Sequence, residues 1–363
     1  NPKDLEFFRR AGELRLRHAK LVAFGSTRRK DIPAEEDANV QALLTAGTDT
    51  VALFGKCWDL HVRDILKTTD EENFRMIRDT VAFFKARGKR VIFDAEHFFD
   101  GYKRNPAFAL AALEAAVDAG ADVLSLCDTN GGAFPQEVYD ITRTVVERFP
   151  AVVTGIHVHN DGGMAVANTV MAVEAGAAHV QGTYLGFGER SGNANLSAII
   201  PNLQLKRGMA CIPAEAMPRL TAAARSMAEI ANVRLQRGEP YVGGSAFAHK
   251  AGMHADGVLK NPLTFEHIDP EAVGNERRFL MSEITGRTAV LEKIRRFCPD
   301  IDKTSPALQD ILSALKTMEL EGYQFEGADG SFELLVRKCL RRVPAFFELV
   351  YYRITGEKPY DEG

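Results

Sequence analysis

Short apolar runs alternate with longer amphipathic stretches over the first two hundred positions. Residues 21–25, 50–54, 90–93, 123–126, 152–159 and 179–184 are rich in Val, Ile, Leu and Phe, and polar or glycine-bearing segments close them. That pattern predicts strands. Residues 33–46, 69–87, 105–119, 135–149 and 164–175 carry helical punctuation: Pro33 and Pro135 at starts, Gly47, Gly88, Gly120 and Gly176 just past ends, and Pro150 after the fourth. A charged helix over residues 3–15 precedes the first strand. The phrases Ala46-Gly47-Thr48-Asp49, Ala119-Gly120-Ala121-Asp122 and Ala175-Gly176-Ala177-Ala178 recur where a helix hands over to a strand, which marks a repeated βα unit. Crossovers of this length impose parallel pairing.

Six strands are predicted where eight would close a barrel, and the pattern alone also admits an open doubly wound sheet. Each strand ends in polar groups, among them Ser26-Thr27-Arg28, Lys56-Cys57-Trp58-Asp59, Asp94-Ala95-Glu96-His97, Asp128-Thr129-Asn130 and His159-Asn160-Asp161. In parallel barrels the chemistry gathers at that face. Residues 195–236 read as helical and Ala/Met-rich, 239–260 as a loop bearing Gly and His, and 287–297, 305–321 and 331–342 as helices. Residues 346–354 read as a strand. The expected fold is α/β: a TIM (β/α)8 barrel lacking its first two strands in this numbering, with a mainly α-helical accessory region. The expected divisions are residues 1–205 for the catalytic barrel, 206–330 for a helical and loop region covering the active site, and 331–363 for a helix and the start of a truncated regulatory domain.

The predicted strand 152–159 holds the sharpest chemistry. Residues i and i+2 of a strand share a face, so His157 and His159 project side by side while Val158 turns away. Paired imidazoles at a strand end form half of a metal site, or else two polar residues that bind only water. Asn193, in the loop after the next strand, can bring an amide oxygen beside them. Two nitrogens with oxygen donors suit Mg, Mn or Zn as a divalent ion. Gly186, Gly188 and Gly192 let a phosphate or pantetheine approach backbone N–H groups, which makes Gly188, Glu189 and Gly192 cofactor-binding candidates. Glu189-Arg190 reads equally as a local ion pair. Glu96 is a candidate general acid/base or the anchor of a neighbouring cation. His254 is either an inert loop histidine or a proton-transfer group delivered over the barrel mouth. His61 reads as structural or substrate-flanking.

Composition narrows the classes. The chain is 45% hydrophobic and 26% charged with net charge −4, so no basic field argues for nucleic acid or an anionic membrane. No apolar run approaches a membrane span and no signal-peptide pattern opens the sequence. Cys57, Cys127, Cys211, Cys298 and Cys339 are scattered, odd in number and without C-x-x-C spacing, as expected of reduced thiols in a cytoplasmic protein.

Taken together, Phe93-Asp94-Ala95-Glu96-His97-Phe98-Phe99-Asp100-Gly101, the Asp128-Thr129-Asn130-Gly131-Gly132 turn, the H-x-H-N-D strand and the G-x-G-E-R-S-G-N loop form a specific set. On these motifs the chain resembles the 2-isopropylmalate/homocitrate/citramalate synthase family, nearest its citramalate synthase branch. The likeness runs from Asn1-Pro2-Lys3-Asp4 to Gly322-Tyr323-Gln324-Phe325-Glu326. It implies a TIM barrel that condenses acetyl-CoA, the co-substrate, with a 2-oxo acid, most simply pyruvate to citramalate. It also implies His157, His159 and Asn193 as metal ligands, Glu96 and Thr129 lining the oxo-acid site, and His254 as the accessory catalytic histidine; His61 stands beside these as a substrate-binding candidate. A homodimer is a further implication. The family's opening strand, of D-T-T-L-R-D-G type, and the one after it have no counterpart here, and those residues are expected to exist outside this numbering. The rivals are 2-isopropylmalate or homocitrate synthesis, a lyase running the reverse reaction, a metal-dependent hydrolase, and an inactive CoA-binding fragment.

Overall fold

The computed structural model describes residues 2–249, 252–279, 287–325, 327–344 and 348–356. Six parallel strands appear in the predicted places: β1 Val22–Ser26, β2 Thr50–Lys56, β3 Arg90–Glu96, β4 Val123–Asp128, β5 Val153–Val158 and β6 His179–Gln181. They lie side by side in chain order. A doubly wound sheet reverses its order at a switch point; this one never does, so the barrel reading replaces the open alternative. The sheet also curls. Three interstrand spacings from β3 to β6 amount to about 14 Å on a flat sheet, yet the side chains of Asp94 and Gln181 meet at 2.8 Å.

The pleat divides the strands into two faces. Val51, Leu53, Val91, Phe93, Leu124, Leu126, Ile156 and Val158 point outward into one large buried core with the helices. The opposite residues form three levels along the inner face. Ala52, Ile92 and Val123 are register partners and make a small apolar cluster of their own. Phe54, Asp94, Ser125, Gly155 and His179 make the second level. Lys56 opposite Glu96, and Cys127 opposite His157 opposite Gln181, make the third, at the C-terminal ends. Polarity therefore rises level by level toward the mouth.

Local chemistry explains the helix limits. Thr69 caps Asp70–Lys85 by accepting the N–H of Glu72, and Asn105 caps Pro106–Asp118 with proline at the first helical position. The helix expected from Pro33 instead begins at Ala38. The buried Asp37 carboxylate takes the N–H groups of Asn39 and Val40 and starts the helix there, leaving residues 33–36 as a turn.

The chain divides into two compact units, Asn1–Leu235 with Pro240–Val242, and Gln236–Glu239 with Gly243–Gly363. The first includes the helix Leu220–Ile230. The second centres on the helices Arg287–Arg295, Pro306–Leu320 and Asp329–Cys339, with Leu291, Ile294, Ile311 and Phe332 at their core. The segment with His254, expected as loop, is the helix Gly252–Lys260. Of the strand expected over 346–354, Phe346 and Phe347 lie outside the described residues, and residues 348–354 form no regular element. Residues 357–363 also lie outside.

One tight contact can be tested directly. Gly101, in the helix Phe98–Arg104, packs so closely on the strand-end loop that a Cβ there would collide with the Cys57 carbonyl. Gly101→Ala is expected to cost about 2 kcal/mol of stability by overpacking, read as a lower urea midpoint; an unchanged midpoint refutes the contact.

Candidate active site at the C-terminal end of the sheet

β5 and the loop after β6 bring three donors together. His157 Nε2 lies 3.4 Å from His159 Nε2 and 3.0 Å from the Asn193 side-chain amide. Asn193 is placed by its backbone: it forms an isolated antiparallel bridge with His159, and its N–H donates to the Gly186 carbonyl at 3.0 Å. Two nitrogen ligands at about 2.1 Å from one ion, separated by a tetrahedral angle, stand about 3.4 Å apart. The imidazole spacing fits that value. The Asn193 amide presents nitrogen or oxygen according to a half-turn, so an oxygen donor is available at the same place. Burial lowers the His159 pKa first, and the neighbouring His157 lowers it further; both effects favour the neutral ring a metal requires. Among the described residues no cluster of three or more His, Cys, Asp or Glu forms, so the trio contributes two imidazoles and an amide without an anionic partner.

His157 is oriented from behind. Its Nδ1 lies 2.7 Å from Gln181 Oε1, and Gln181 Nε2 lies 2.8 Å from Asp94 Oδ1. Asp94 is buried, and burial raises its pKa from the ordinary 3.8 to about 6 against the opposing effects of Gln181 and His157. Neither Asp94 nor Gln181 was singled out among the sequence candidates. Asp94 lies two residues before the strand-end Glu96, and Gln181 ends β6 two residues after His179; that period-two spacing was the available signal.

The G-x-G-E-R-S-G-N loop closes on itself. The Gly192 N–H donates to the Glu189 carbonyl at 2.8 Å, and a Cβ on Gly192 would strike the Gly186 carbonyl. A Cβ on Gly188 would likewise overlap the Asn193 side chain. Gly188 and Gly192 thus serve the path that seats Asn193. Glu189 is exposed and pairs with Arg190 at 3.7 Å. Arg190 also grips Asp161 through Nε at 2.8 Å and Nη2 at 3.0 Å, and donates to the Thr129 carbonyl at 2.6 Å. It ties together the loops after β4, β5 and β6.

Across the mouth, Glu96 forms an ion pair with Lys56. Two strands separate it from His157 at the same level, about 10 Å by strand spacing. His97 follows in the left-handed region with φ 56°, turning the chain so that its N–H donates to Thr129 Oγ1 at 2.9 Å. His61 stacks on Trp58 and meets His97 at a tilt, at ring separations of 5.1 and 4.2 Å, and its buried Nδ1 has no hydrogen-bond partner among the described residues. Burial lowers the His61 pKa most, and His97 adds to it. Cys57 and Cys127 are fully buried, which pushes both thiols far up and leaves them unsuited to nucleophilic work. His254 belongs to the second unit, where it is exposed with its ring 4.2 Å from that of Phe265.

Comparison with known proteins identifies the family. Residues 1–225 match the HMGL-like family model, and residues 241–322 match the homocitrate synthase post-HMGL domain-like model. The chain belongs to the HMGL-like family. Within it the chain falls among the 2-isopropylmalate and homocitrate synthase relatives. It is 52% identical to the (R)-citramalate synthase of Aquifex aeolicus over 362 residues, covering all of this chain and 69% of that protein. It is 50% identical to the (R)-citramalate synthase of Synechocystis, covering 95% of this chain and 65% of that protein. The chain therefore spans about two thirds of the length of these relatives. Among solved structures, the HMG-CoA lyase of Bacillus subtilis aligns with a TM-score of 0.52 at 20% identity, over 63% of this chain and 76% of that one. That likeness concerns the HMGL-like fold alone. No described helix is long and apolar enough to cross a membrane.

Asp94 gives the site a measurable pH signature. Its folded pKa lies above its unfolded one, so the folded state holds the proton more tightly. Stability therefore falls as pH rises from about 4 to about 6, and a deficit of about 3 kcal/mol is fully present above that. Asp94→Asn, which has no charge to bury, is expected to gain on the parent by up to about 3 kcal/mol between pH 4 and pH 8. Urea midpoints at the two pH values measure this; parallel pH profiles contradict it.

Proposed function

We propose that this chain carries the catalytic barrel of an enzyme that condenses acetyl-CoA with pyruvate to give citramalate. The observation that carries the reading is identity at 52% and 50% to (R)-citramalate synthases along almost the whole chain. The convergence of His157, His159 and Asn193 at the mouth supports the chemistry.

His157, His159 and Asn193 would hold a divalent ion, Mg, Mn or Zn. Such an ion supplies Lewis-acid polarisation of the 2-oxo acid's carbonyl. The remaining work falls to the chain. Thr129 Oγ1 accepts the His97 N–H, which leaves its own hydrogen to donate to the oxo acid's carboxylate. His61 and Trp58 wall the same side with flat, partly apolar surface. Lys56 holds the Glu96 carboxylate in place, and Glu96 moves protons at the reacting carbons. A base takes a proton from the acetyl methyl group, the resulting carbanion adds to C2 of pyruvate, and the new alkoxide is protonated. Hydrolysis of the thioester then releases citramalate and free CoA thiol. His254 is the second candidate for proton transfer. Gly188, Glu189 and Gly192 form the loop that faces the acetyl-CoA side. A homodimer and a cytoplasmic setting complete the reading.

In the intact protein, thiol release from acetyl-CoA is expected with pyruvate and at least 10-fold more slowly with 2-oxoisovalerate, the difference a few pocket contacts supply. Thiol release without any oxo acid points to a hydrolase, and turnover of a 3-hydroxyacyl-CoA alone points to a lyase. Glu96→Gln is expected to lower kcat by about 10²- to 10⁴-fold while metal content stays at the parent level. A kcat within twofold of the parent removes Glu96 from proton transfer.

A further inference from the structure

Gln181 sits where an ordinary pocket residue would be unremarkable, but its amide is committed at both ends. Its nitrogen faces two acceptors, Asp94 Oδ1 at 2.8 Å and His179 Nε2 at 3.4 Å. A carboxylate oxygen has no hydrogen to give, and His179 is held neutral, chiefly by burial and secondarily by Arg90. The carboxylate therefore calls for the NH₂ end of the amide, and a neutral His179 accepts from it at Nε2 in its Nδ1–H form. The oxygen is left toward His157 Nδ1 at 2.7 Å, where it can only accept. When the His157 ring carries a single proton, that proton sits on Nδ1 and the lone pair on Nε2. That lone pair points to the place where His159 Nε2 and the Asn193 amide meet.

We propose that Asp94 and Gln181 are positioning residues that lock His157 in the Nδ1–H tautomer, so that its Nε2 is ready for a divalent cation before the cation arrives. The inference rests on His157 being a metal ligand. Gln181 meets the ring at Nδ1 and Asp94 meets Gln181, so both act through the ring.

The surroundings favour a directional relay over casual pocket filling. Ser125 and Gly155 occupy the inner face between β3 and β6 at the level of Asp94, and their small size keeps the path open. A Cβ on Gly155 would press on His179 Cδ2 at 2.9 Å. Gln181 is partly buried and Asp94 is almost wholly so, so water competes poorly for these bonds.

The test uses the intact protein at pH 8, where Asp94 is ionised, with Zn²⁺ alone as the probe. In metal-free protein labelled with ¹⁵N-histidine, long-range proton–nitrogen spectra report which ring nitrogen carries hydrogen. His157 is expected as the Nδ1–H form. In Gln181→Met, which keeps side-chain length and removes the amide, the signal is expected to shift toward the Nε2–H form. Zn²⁺ affinity, measured by chelator competition, is expected to fall by about 10- to 100-fold, the range for outer-sphere partners of metal-bound histidines. Asp94→Asn, whose amide can face either way, is expected to give a tautomer mixture and a smaller loss. Its predicted stability at pH 8 keeps the test open should Gln181→Met fold poorly. A dominant Nε2–H form in the parent overturns the proposal, as does Gln181→Met with tautomer and affinity within twofold of the parent. His157→Ala separates the two layers of argument: Zn²⁺ binding unchanged in that variant defeats the metal reading, while the tautomer spectra still decide the relay.

Discussion

Everything in the first unit depends on the pleat of a parallel sheet in which each strand is laid beside its predecessor. Because side chains alternate, one set of residues seals the sheet to its helices and the other set lines the concave face. The two sets answer to different pressures. Outward positions such as Val91, Phe93, Leu124 and Leu126 are buried and apolar. Inward positions pass from Ala52, Ile92 and Val123 to Asp94 and Ser125, and then to Lys56, Glu96, His157 and Gln181. A one-residue slip of β5 would send both histidines into the helical core and Val158 and Ile156 to the mouth. The burial of Ile156 and Val158 therefore fixes where the imidazoles point.

Polar groups on the inner face are costly, and the structure offsets them in pairs. Lys56 meets Glu96, Gln181 meets Asp94 and His157, and Arg190 gathers Asp161 with the Thr129 carbonyl. Asp94 is the exception that shows the cost: with no cation in contact, burial raises its pKa. Retaining a charge that lowers stability above pH 6 is reasonable where that charge sets the direction of a hydrogen-bond chain leading to the proposed ligands.

Much of this was legible in the sequence because it follows short-range rules. The βα rhythm, the i, i+2 pairing of His157 and His159, and the glycines and prolines at helix ends are all local signals. What escaped was nonlocal or competitive. The start of the helix at Ala38 depended on Asp37 outbidding Pro33 for the first turn. The helix around His254 was hidden by glycines at 252 and 257 that read as loop. Asp94 and Gln181 were passed over because their partnership spans 87 positions and exists only once the sheet curls. The joining of Asn193 to the histidines was expected from adjacent strand ends. The Arg190 clamp on Asp161 was only half visible, as a local pair with Glu189.

The choice of glutamine at position 181 follows from the same geometry. The side chain there must give a hydrogen to a buried carboxylate and accept one from an imidazole, and it must add no charge. A glutamate would set a second carboxylate against Asp94, so one of the two would have to hold a proton. A lysine or arginine would satisfy Asp94 but has no acceptor to offer, which would turn His157 to its other tautomer and aim an N–H at His159. A leucine would leave Asp94 buried and unpaired. A primary amide provides both ends without charge, and asparagine, one methylene shorter, would not span the 2.7 and 2.8 Å contacts from the same backbone position. The amide is therefore matched to a metal-ready ring at one end and to a buried carboxylate at the other.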